Sequence, residues 1–201
     1  MEKLSNSQLK KFVSSRSKYS YVIYKTEDYK KFLEKSELFL KYSRKLEPRC
    51  IDYDKKNVTN KLFFTRLSRI CLGIACELLL KSAYLKKGYI INSSKSNIKK
   101  PLKFIDLEEY NNIQSNKTHS FKFLLNNFYN LFKFERKVFN FYIARGFELA
   151  YIWRNLSVHI GHGKMRTFGN DYKIVYESIL YIYKYLFEEE DLIRVKKLIN
   201  N

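Results

Sequence analysis

At 201 residues the chain is long enough to bury a sizeable core, and we expect it to fold as one domain. Its 39 Lys and Arg against 20 Asp and Glu leave a net charge of +19, which favours a polyanionic partner, nucleic acid first and an anionic membrane surface second. The start of the chain is polar, and no apolar run approaches the roughly 18 residues that suggest a membrane-spanning helix. We therefore expect a cytoplasmic protein that does not span a membrane.

Few residues interrupt helices in this chain. It contains only two Pro and six Gly, and its apolar residues recur three and four positions apart, which predicts an all-α fold. Residues 1–17, rich in Ser and Lys, are expected to form a loose N-terminus or a short first helix, and residues 18–201 a single domain. From Ser20 to Lys45 an amphipathic pattern predicts a helix, or a pair of helices, that ends before Pro48.

A long helix is predicted from about Lys61 to Lys87. Asn57 or Thr59 would cap its start, and Gly88 would end it. The apolar residues of its predicted core stripe are Phe63, Leu67, Ile70, Ile74 and Leu78.

A second line of residues runs beside this stripe at steps of three and four positions. It consists of Arg66, Arg69, Gly73 and Glu77. On this line Glu77 could face the helix that carries Arg154, where a carboxylate would orient the guanidinium or raise the pKa of His159. The alternative is a plain surface ion pair between Glu77 and Lys81, four residues further on.

Residues 88–118 are rich in Ser and Asn, and they predict a long basic loop that is either functional or partly mobile. Lys99 and Lys100 could hold an RNA backbone there, although a solvated basic loop is the alternative. Thr118 is the predicted N-cap of the next helix. His119 would then lie in the first turn, a position more typical of a packed or capping residue than of a catalytic one.

The C-terminal third predicts further helices. One extends from about Glu135 to Arg145 and leads into the helix of Arg154, with Gly146 as a kink between them. A last amphipathic helix, or helix pair, is predicted from Asn170 to Asn200. Its tyrosines are more typical of a core or an interface than of base stacking. They are Tyr172, Tyr176, Tyr181, Tyr183 and Tyr185.

The cysteine content indicates free thiols. Cys50, Cys71 and Cys76 are odd in number, and two of them fall in an apolar helical run. No Cys-x2-Cys spacing supports a metal site, and no Gly-rich phosphate loop is present. We therefore expect neither a metal nor another cofactor.

The residues from Trp153 to Gly163 combine an Arg, an amide and two His within a short stretch. If the helix continues to about residue 160, Asn155 and His159 share one face and Arg154 lies to one side of it. His159 would be the general acid or base for RNA cleavage, Arg154 would hold the phosphate, and Asn155 would orient His159 or the scissile phosphate. His162 is a supporting candidate, as are Glu77 and His119. The alternative is that cations simply suit a helix C-terminus.

The predicted RNA-binding residues are the basic side chains around this motif and on the predicted long helix and loop. They are Arg66, Arg69, Lys99, Lys100, Lys164 and Arg166.

The string RNLSVH, from Arg154 to His159, resembles the R-x4-H signature of the HEPN superfamily, in which an Arg and a polar residue precede a His. The stretch from Gly73 to Gly88, with its acidic residue, Leu-Leu-Lys and a Lys-Gly stop, resembles the second helix of such domains. The stretch from Thr118 to Leu125 resembles their Gly-His-Asp-Leu-x-x-Leu-Leu opening of the third helix, with Thr118 and Ser120 departing from it.

The resemblance implies an HEPN-like up-down helical bundle with an N-terminal helical extension. It also implies a metal-independent endoribonuclease of a toxin–antitoxin or anti-phage system, which leaves a 2′,3′-cyclic phosphate and a 5′-OH. The implied partners are RNA (tRNA or mRNA), a second copy that completes a composite active site, and an antitoxin or other defence protein. HEPN toxins controlled by a nucleotidyltransferase carry a Tyr where this chain has Gly161, so that regulation is not supported.

Two other classes of function remain open. A non-catalytic RNA- or nucleotide-binding protein would use the basic surface alone, with a steep dependence of affinity on salt. A subunit of a larger defence complex would act only with its partner.

Overall fold

The computed structural model describes residues 24–47, 58–93, 99–101, 103, 117–132, 141–158 and 170–200. Within these ranges the helices are α1 (Tyr29–Leu46), α2 (Val58–Lys86), α3 (Phe121–Leu131), α4 (Phe141–Val158), α5 (Asp171–Leu186) and α6 (Glu189–Asn200). The described residues contain no β-strand, only two isolated β-bridges. The all-α prediction is therefore confirmed, while residues 1–17 lie outside the described part of the chain.

Helices α1 and α2 lie antiparallel, with serines along the seam between them. Ser82 Oγ donates a hydrogen bond to the carbonyl oxygen of Tyr29 (2.8 Å), and Ser36 Oγ donates to that of Ala75 (2.8 Å). Small side chains allow this close approach, and each hydroxyl satisfies its own hydrogen-bonding need on the facing backbone. The predicted helix that ends before Pro48 is confirmed over Tyr29–Leu46 as α1, with a 3-10 turn at Thr26–Asp28 before it, while residues 20–23 lie outside the described residues.

The ends of α2 agree only partly with the sequence prediction. The helix begins at Val58, so Thr59 lies inside it and the prediction of Thr59 as its cap is wrong. Asn57 lies outside the described residues. At the other end the helix stops at Lys86, and Gly88 adopts a φ of 77°, a left-handed conformation that suits glycine. The predicted stop is confirmed.

The predicted core stripe of α2 is not its most buried side. Phe63 is 58% exposed, and the other four members are only half-buried. The fully buried apolar positions of α2 are Leu72, Ala75, Cys76, Leu79, Leu80, Ala83, Tyr84 and Leu85. The reason is that α2 packs against α1 on one side and α4 on another, so its buried arc is wide and includes small residues. The large apolar residues that suggested the stripe lie beside this arc.

The segment before α3 differs from the predicted start of that helix. Thr118 pairs with Asn92 in a β-bridge, and Ser120 is the N-cap, because its Oγ accepts a hydrogen bond from the Phe123 amide (3.2 Å). The predictions of Thr118 as the cap and of His119 in the first turn are therefore wrong. Ser120 occupies the position of the Asp in the family pattern, and both residue types are common N-caps.

Helix α4 runs without a break through Gly146, so the segments on either side of this residue form one helix. The glycine instead permits close packing, since a Cβ at Gly146 would overlap the side chain of Ser178 on α5. Residues 133–140, where the preceding helix was predicted to begin, lie outside the described residues. Phe128 on α3 contacts Phe147 on α4, with ring centroids 6.4 Å apart.

The predicted C-terminal helix pair is present as α5 and α6. On α5 the hydroxyl of Tyr176 donates to Glu47 Oε2 (2.7 Å), and that of Tyr183 donates to Glu37 Oε1 (3.1 Å). Burial, chiefly, raises the pKa of both phenols. These two tyrosines are therefore core residues, whereas Tyr185 is 45% exposed.

The thiols of Cys71 and Cys76 are free and buried, and burial raises the pKa of each. Both are therefore poor nucleophiles. Cys50 lies outside the described residues.

Candidate functional site

Helices α2 and α4 approach each other closely at Gly73. A Cβ at this position would lie 2.6 Å from the carbonyl oxygen of Ala150 and 2.7 Å from the Cβ of Arg154. No larger residue fits there without moving a helix. The glycine therefore sets the distance from which the Arg154 side chain reaches α2.

Arg154 reaches Glu77, one turn beyond Gly73 on α2. Its Nη2 lies 3.0 Å from Glu77 Oε2, while Lys81 Nζ lies 2.7 Å from Glu77 Oε1. The pairing of Glu77 with Arg154 and the pairing with Lys81, which the sequence presented as alternatives, occur together. The side chains of Glu77 and Lys81 are each 9% exposed, whereas that of Arg154 is 36% exposed. The guanidinium is thus anchored by Glu77, while about a third of the Arg154 side chain remains exposed.

His119 belongs to the same region through Lys81. Its ring stacks on Phe123 with centroids 4.1 Å apart, and its backbone amide donates to the carbonyl oxygen of Ile91 (2.7 Å). Burial, and then the positive charge of Lys81, lower the pKa of His119 to about 4. The imidazole is therefore neutral at neutral pH and a weak base, which makes it a poor candidate for general base or general acid.

Arg69 lies on α2, eight residues before Glu77. It is buried with its guanidinium over the ring of Trp153, 5.5 Å from the centroid, and Tyr172 packs on that indole at 5.0 Å. This stack fixes the position of Trp153, which precedes Arg154 on α4. Arg69, predicted to bind RNA, is therefore less accessible than Arg66, which is exposed on the same helix.

The remaining predicted residues divide into two groups. Asn155 is half-buried beside Arg154, and Lys99 and Lys100 are exposed on the segment before Pro101. Helix α4 is described to Val158, so four predicted site residues lie outside the described residues. These are His159, His162, Lys164 and Arg166.

The sequence did not indicate how deeply Lys81 is buried. The sequence predicted Lys81 only as a surface partner of Glu77, yet the side chains of both residues are 9% exposed. The four-residue spacing from Glu77 gave the pairing. Its burial could not be read from that spacing, because it depends on how the neighbouring segments cover this part of α2.

The charges of this cluster favour an anion. Arg154 and Lys81 share the single carboxylate of Glu77, and His119 is neutral, so the group carries one excess positive charge near the accessible face of Arg154. Among the described residues no group of three or more His, Cys, Asp and Glu side chains could hold a metal ion. We refer to Glu77, Lys81, His119 and Arg154 as the α2–α4 polar cluster.

A cleft lined mostly by acidic residues lies between α1 and the C-terminal helix α6. This cleft has a volume of about 550 Å³, and its acidic lining residues are Glu34, Glu37, Glu188, Glu190 and Asp191. Lys30 and Arg194 offset only part of that charge. A phosphate backbone would be repelled there, so the cleft is unsuited to RNA.

Comparisons with family models, with curated proteins and with solved structures gave no match. Within the described ranges, no helix combines the length and the apolar character needed to cross a membrane.

Proposed function

We propose that the protein is a metal-independent endoribonuclease of the HEPN type, with its site at Arg154, Asn155 and His159. The observation that carries the proposal is the guanidinium of Arg154, whose Nη2 lies 3.0 Å from a nearly buried carboxylate while the Arg154 side chain remains 36% exposed. An Arg in this arrangement can give charge-assisted hydrogen bonds to a phosphate without losing its orientation. The second support is the order of the three stretches that resemble the superfamily.

In the proposed reaction the ribose 2′ oxygen attacks the adjacent phosphorus and the bond to the 5′ oxygen breaks. A base accepts the 2′-OH proton, and an acid supplies a proton to the leaving 5′ oxygen. Arg154 stabilises the added negative charge, Asn155 orients the phosphate or His159, and His159 acts as acid or base. The products are a 2′,3′-cyclic phosphate and a 5′-OH.

One His cannot easily serve both sides of the same phosphate, so we propose that two copies form an isologous homodimer with a composite site. The incompletely buried apolar stripe of α2 supports this part of the proposal. It runs from Phe63, which is 58% exposed, to Leu78, which is adjacent to Glu77, and Leu62, next to its start, is 52% exposed. A second copy seated on it would lie beside the polar cluster.

The biological setting follows from the resemblance alone. We propose that the enzyme cuts tRNA or mRNA within a toxin–antitoxin or anti-phage system, under the control of an antitoxin or another defence protein. The net charge of +19 suits such a substrate.

The test is cleavage of total tRNA and of a long single-stranded RNA in the presence of EDTA. We expect the wild type to cut and to leave cyclic-phosphate ends, and Arg154→Ala and His159→Ala each to be slower by about 100-fold or more. Arg145→Ala is the matched control, because Arg145 is exposed on the same helix and lies outside the proposed site. Undiminished cutting by both site variants would rule out this site. Tight RNA binding without cutting by any protein would favour the non-catalytic alternative.

A further inference from the structure

The α2–α4 polar cluster contains a cation that the proposed reaction does not use directly. Lys81 lies one helical turn after Glu77 on α2, and its Nζ is 2.7 Å from Glu77 Oε1. Because its side chain is only 9% exposed, Lys81 has little surface with which to touch RNA. Any effect that it has on a substrate must therefore pass through the groups around it.

The two oxygens of the Glu77 carboxylate contact different cations, and this affects how Arg154 can bind a phosphate. Oε1 forms an ion pair with Nζ of Lys81 (2.7 Å), and Oε2 forms one with Nη2 of Arg154 (3.0 Å). If Glu77 had Arg154 as its sole cation, the pair would be neutral, and an incoming phosphate would compete with the carboxylate for the same guanidinium. Lys81 supplies the compensating charge, so the guanidinium, which has five N–H donors, retains positive charge and free donors on its exposed side.

We propose that Lys81 is a positioning residue that neutralises Glu77, so that Arg154 is held in place by the carboxylate and still binds a phosphate oxygen of RNA. This inference rests on the proposed function only for the identity of the phosphate as that of RNA. In it, Glu77 fixes the direction of the guanidinium, and Lys81 sets how strongly the carboxylate competes with the substrate.

The position of Lys81 relative to His119 is consistent with this role. The charge of Lys81 acts on the neighbouring imidazole, and His119, itself buried, contributes no second positive charge to the cluster at neutral pH. Lys81 is therefore the buried cation that balances Glu77 in the described part of this cluster.

The experiment measures binding of a 2′-O-methyl RNA oligonucleotide, which cannot be cleaved because its 2′ oxygen is blocked. Its dissociation constant is compared for the wild type, Lys81→Met, Lys81→Arg and the double variant Glu77→Gln/Lys81→Met, each with Arg154 and with Arg154→Ala. We expect Lys81→Met to weaken the Arg154-dependent binding by about tenfold, and Lys81→Arg to retain it. In the Arg154→Ala background, Lys81→Met should have no further effect.

The double variant tests whether the loss in Lys81→Met comes from the unbalanced carboxylate of Glu77, while the Arg154→Ala background excludes a general folding defect. Removing the carboxylate together with the ammonium leaves no competitor for Arg154, so Glu77→Gln/Lys81→Met should regain most of the affinity that Lys81→Met loses. This variant also keeps the test usable if Lys81→Met folds poorly, because it leaves no buried charge unpaired at these two positions. Equal affinity of Lys81→Met and the wild type would overturn the proposal. So would a double variant that binds no better than Lys81→Met, or no better than the Arg154→Ala protein.

Parallel cleavage assays distinguish failure of this inference from failure of the proposed function. The expected affinities without any cleavage by the wild type would remove the ribonuclease activity and leave the role of Lys81 intact. Efficient cleavage by the wild type, together with unchanged binding by Lys81→Met, would remove the role of Lys81 and leave the ribonuclease activity intact.

Discussion

His119 makes the stability of the fold depend on pH. Its pKa falls from the ordinary 6.5 to about 4 in the folded protein, chiefly through burial. Between these values the unfolded chain binds a proton that the folded chain does not, so the free energy of unfolding decreases as the pH falls from about 6.5 to about 4. The loss attributable to His119 should be at most about 1.4 kcal/mol per pH unit.

Denaturant unfolding of the wild type and of His119→Gln at pH 7, 5.5 and 4.5 measures this effect. The variant removes the titrating group and keeps a polar side chain, so its stability should decline less steeply over that window. Contributions of other acidic groups and of the other two His are common to both proteins and cancel in the difference. Parallel pH profiles for the two proteins would show that His119 titrates normally.

Individual contacts at the site were only partly predictable from the sequence. The three- and four-residue steps from Arg66 to Glu77 indicated that Glu77 could face Arg154, and the two side chains are in contact. The same steps could not tell a surface Lys81 from a buried one. The catalytic role of Arg154 stays a prediction, because a contact fixes the position of a guanidinium and not its chemistry.

At the scale of elements, Gly73 controls the packing of α2 against α4. Gly73→Ala would place a methyl group 2.6 Å from the carbonyl oxygen of Ala150, so one helix must shift. Overpacking of this kind costs about 1–3 kcal/mol. We expect lower stability in denaturant and, because Arg154 moves relative to Glu77, a loss of RNA cleavage that exceeds the effect on RNA binding.

Gly88→Ala is the matched control for that prediction. No atom lies within 4 Å of a Cβ at Gly88, but its φ of 77° disfavours alanine, so the variant loses stability through the backbone alone, by about 1–2 kcal/mol. It should cut RNA at the wild-type rate under conditions where it is folded. If both variants lost activity equally, reduced stability would account for the effect and the helix spacing would not.

Helical periodicity predicted α1, most of α2 and the C-terminal pair, because long amphipathic segments carry a strong signal. The start of α3 was wrong because the β-bridge of Thr118 with Asn92 is a long-range contact. The packing role of Gly146 could not be read from the sequence for a related reason. A glycine within a helix can mark a break or a close helix contact, and only the position of α5 decides between them.

At the scale of the whole molecule, the net charge of +19 predicted a polyanionic partner and gave no sign of how the charge is arranged. The acidic cleft beside α6 and the positive polar cluster on α2 and α4 coexist in one bundle. Composition cannot show this separation of charge, because the separation arises only when folding brings distant segments of the chain together. The surface that meets RNA is accordingly expected on the α2–α4 side.

The dimer proposal gives the last prediction, and it concerns the apolar stripe of α2. Phe63→Glu places a charge on a side chain that is 58% exposed, so it should leave the monomer fold intact and weaken a contact that covers the stripe. Light scattering during size-exclusion chromatography should show a dimer for the wild type and a monomer for the variant. Since the proposed site needs both copies, cleavage should fall with the dimer fraction and recover at high protein concentration. Leu38→Glu on α1, where the side chain is 45% exposed, makes the same chemical change away from the site and should alter neither property. A fully active Phe63→Glu monomer would mean that one chain carries a complete site.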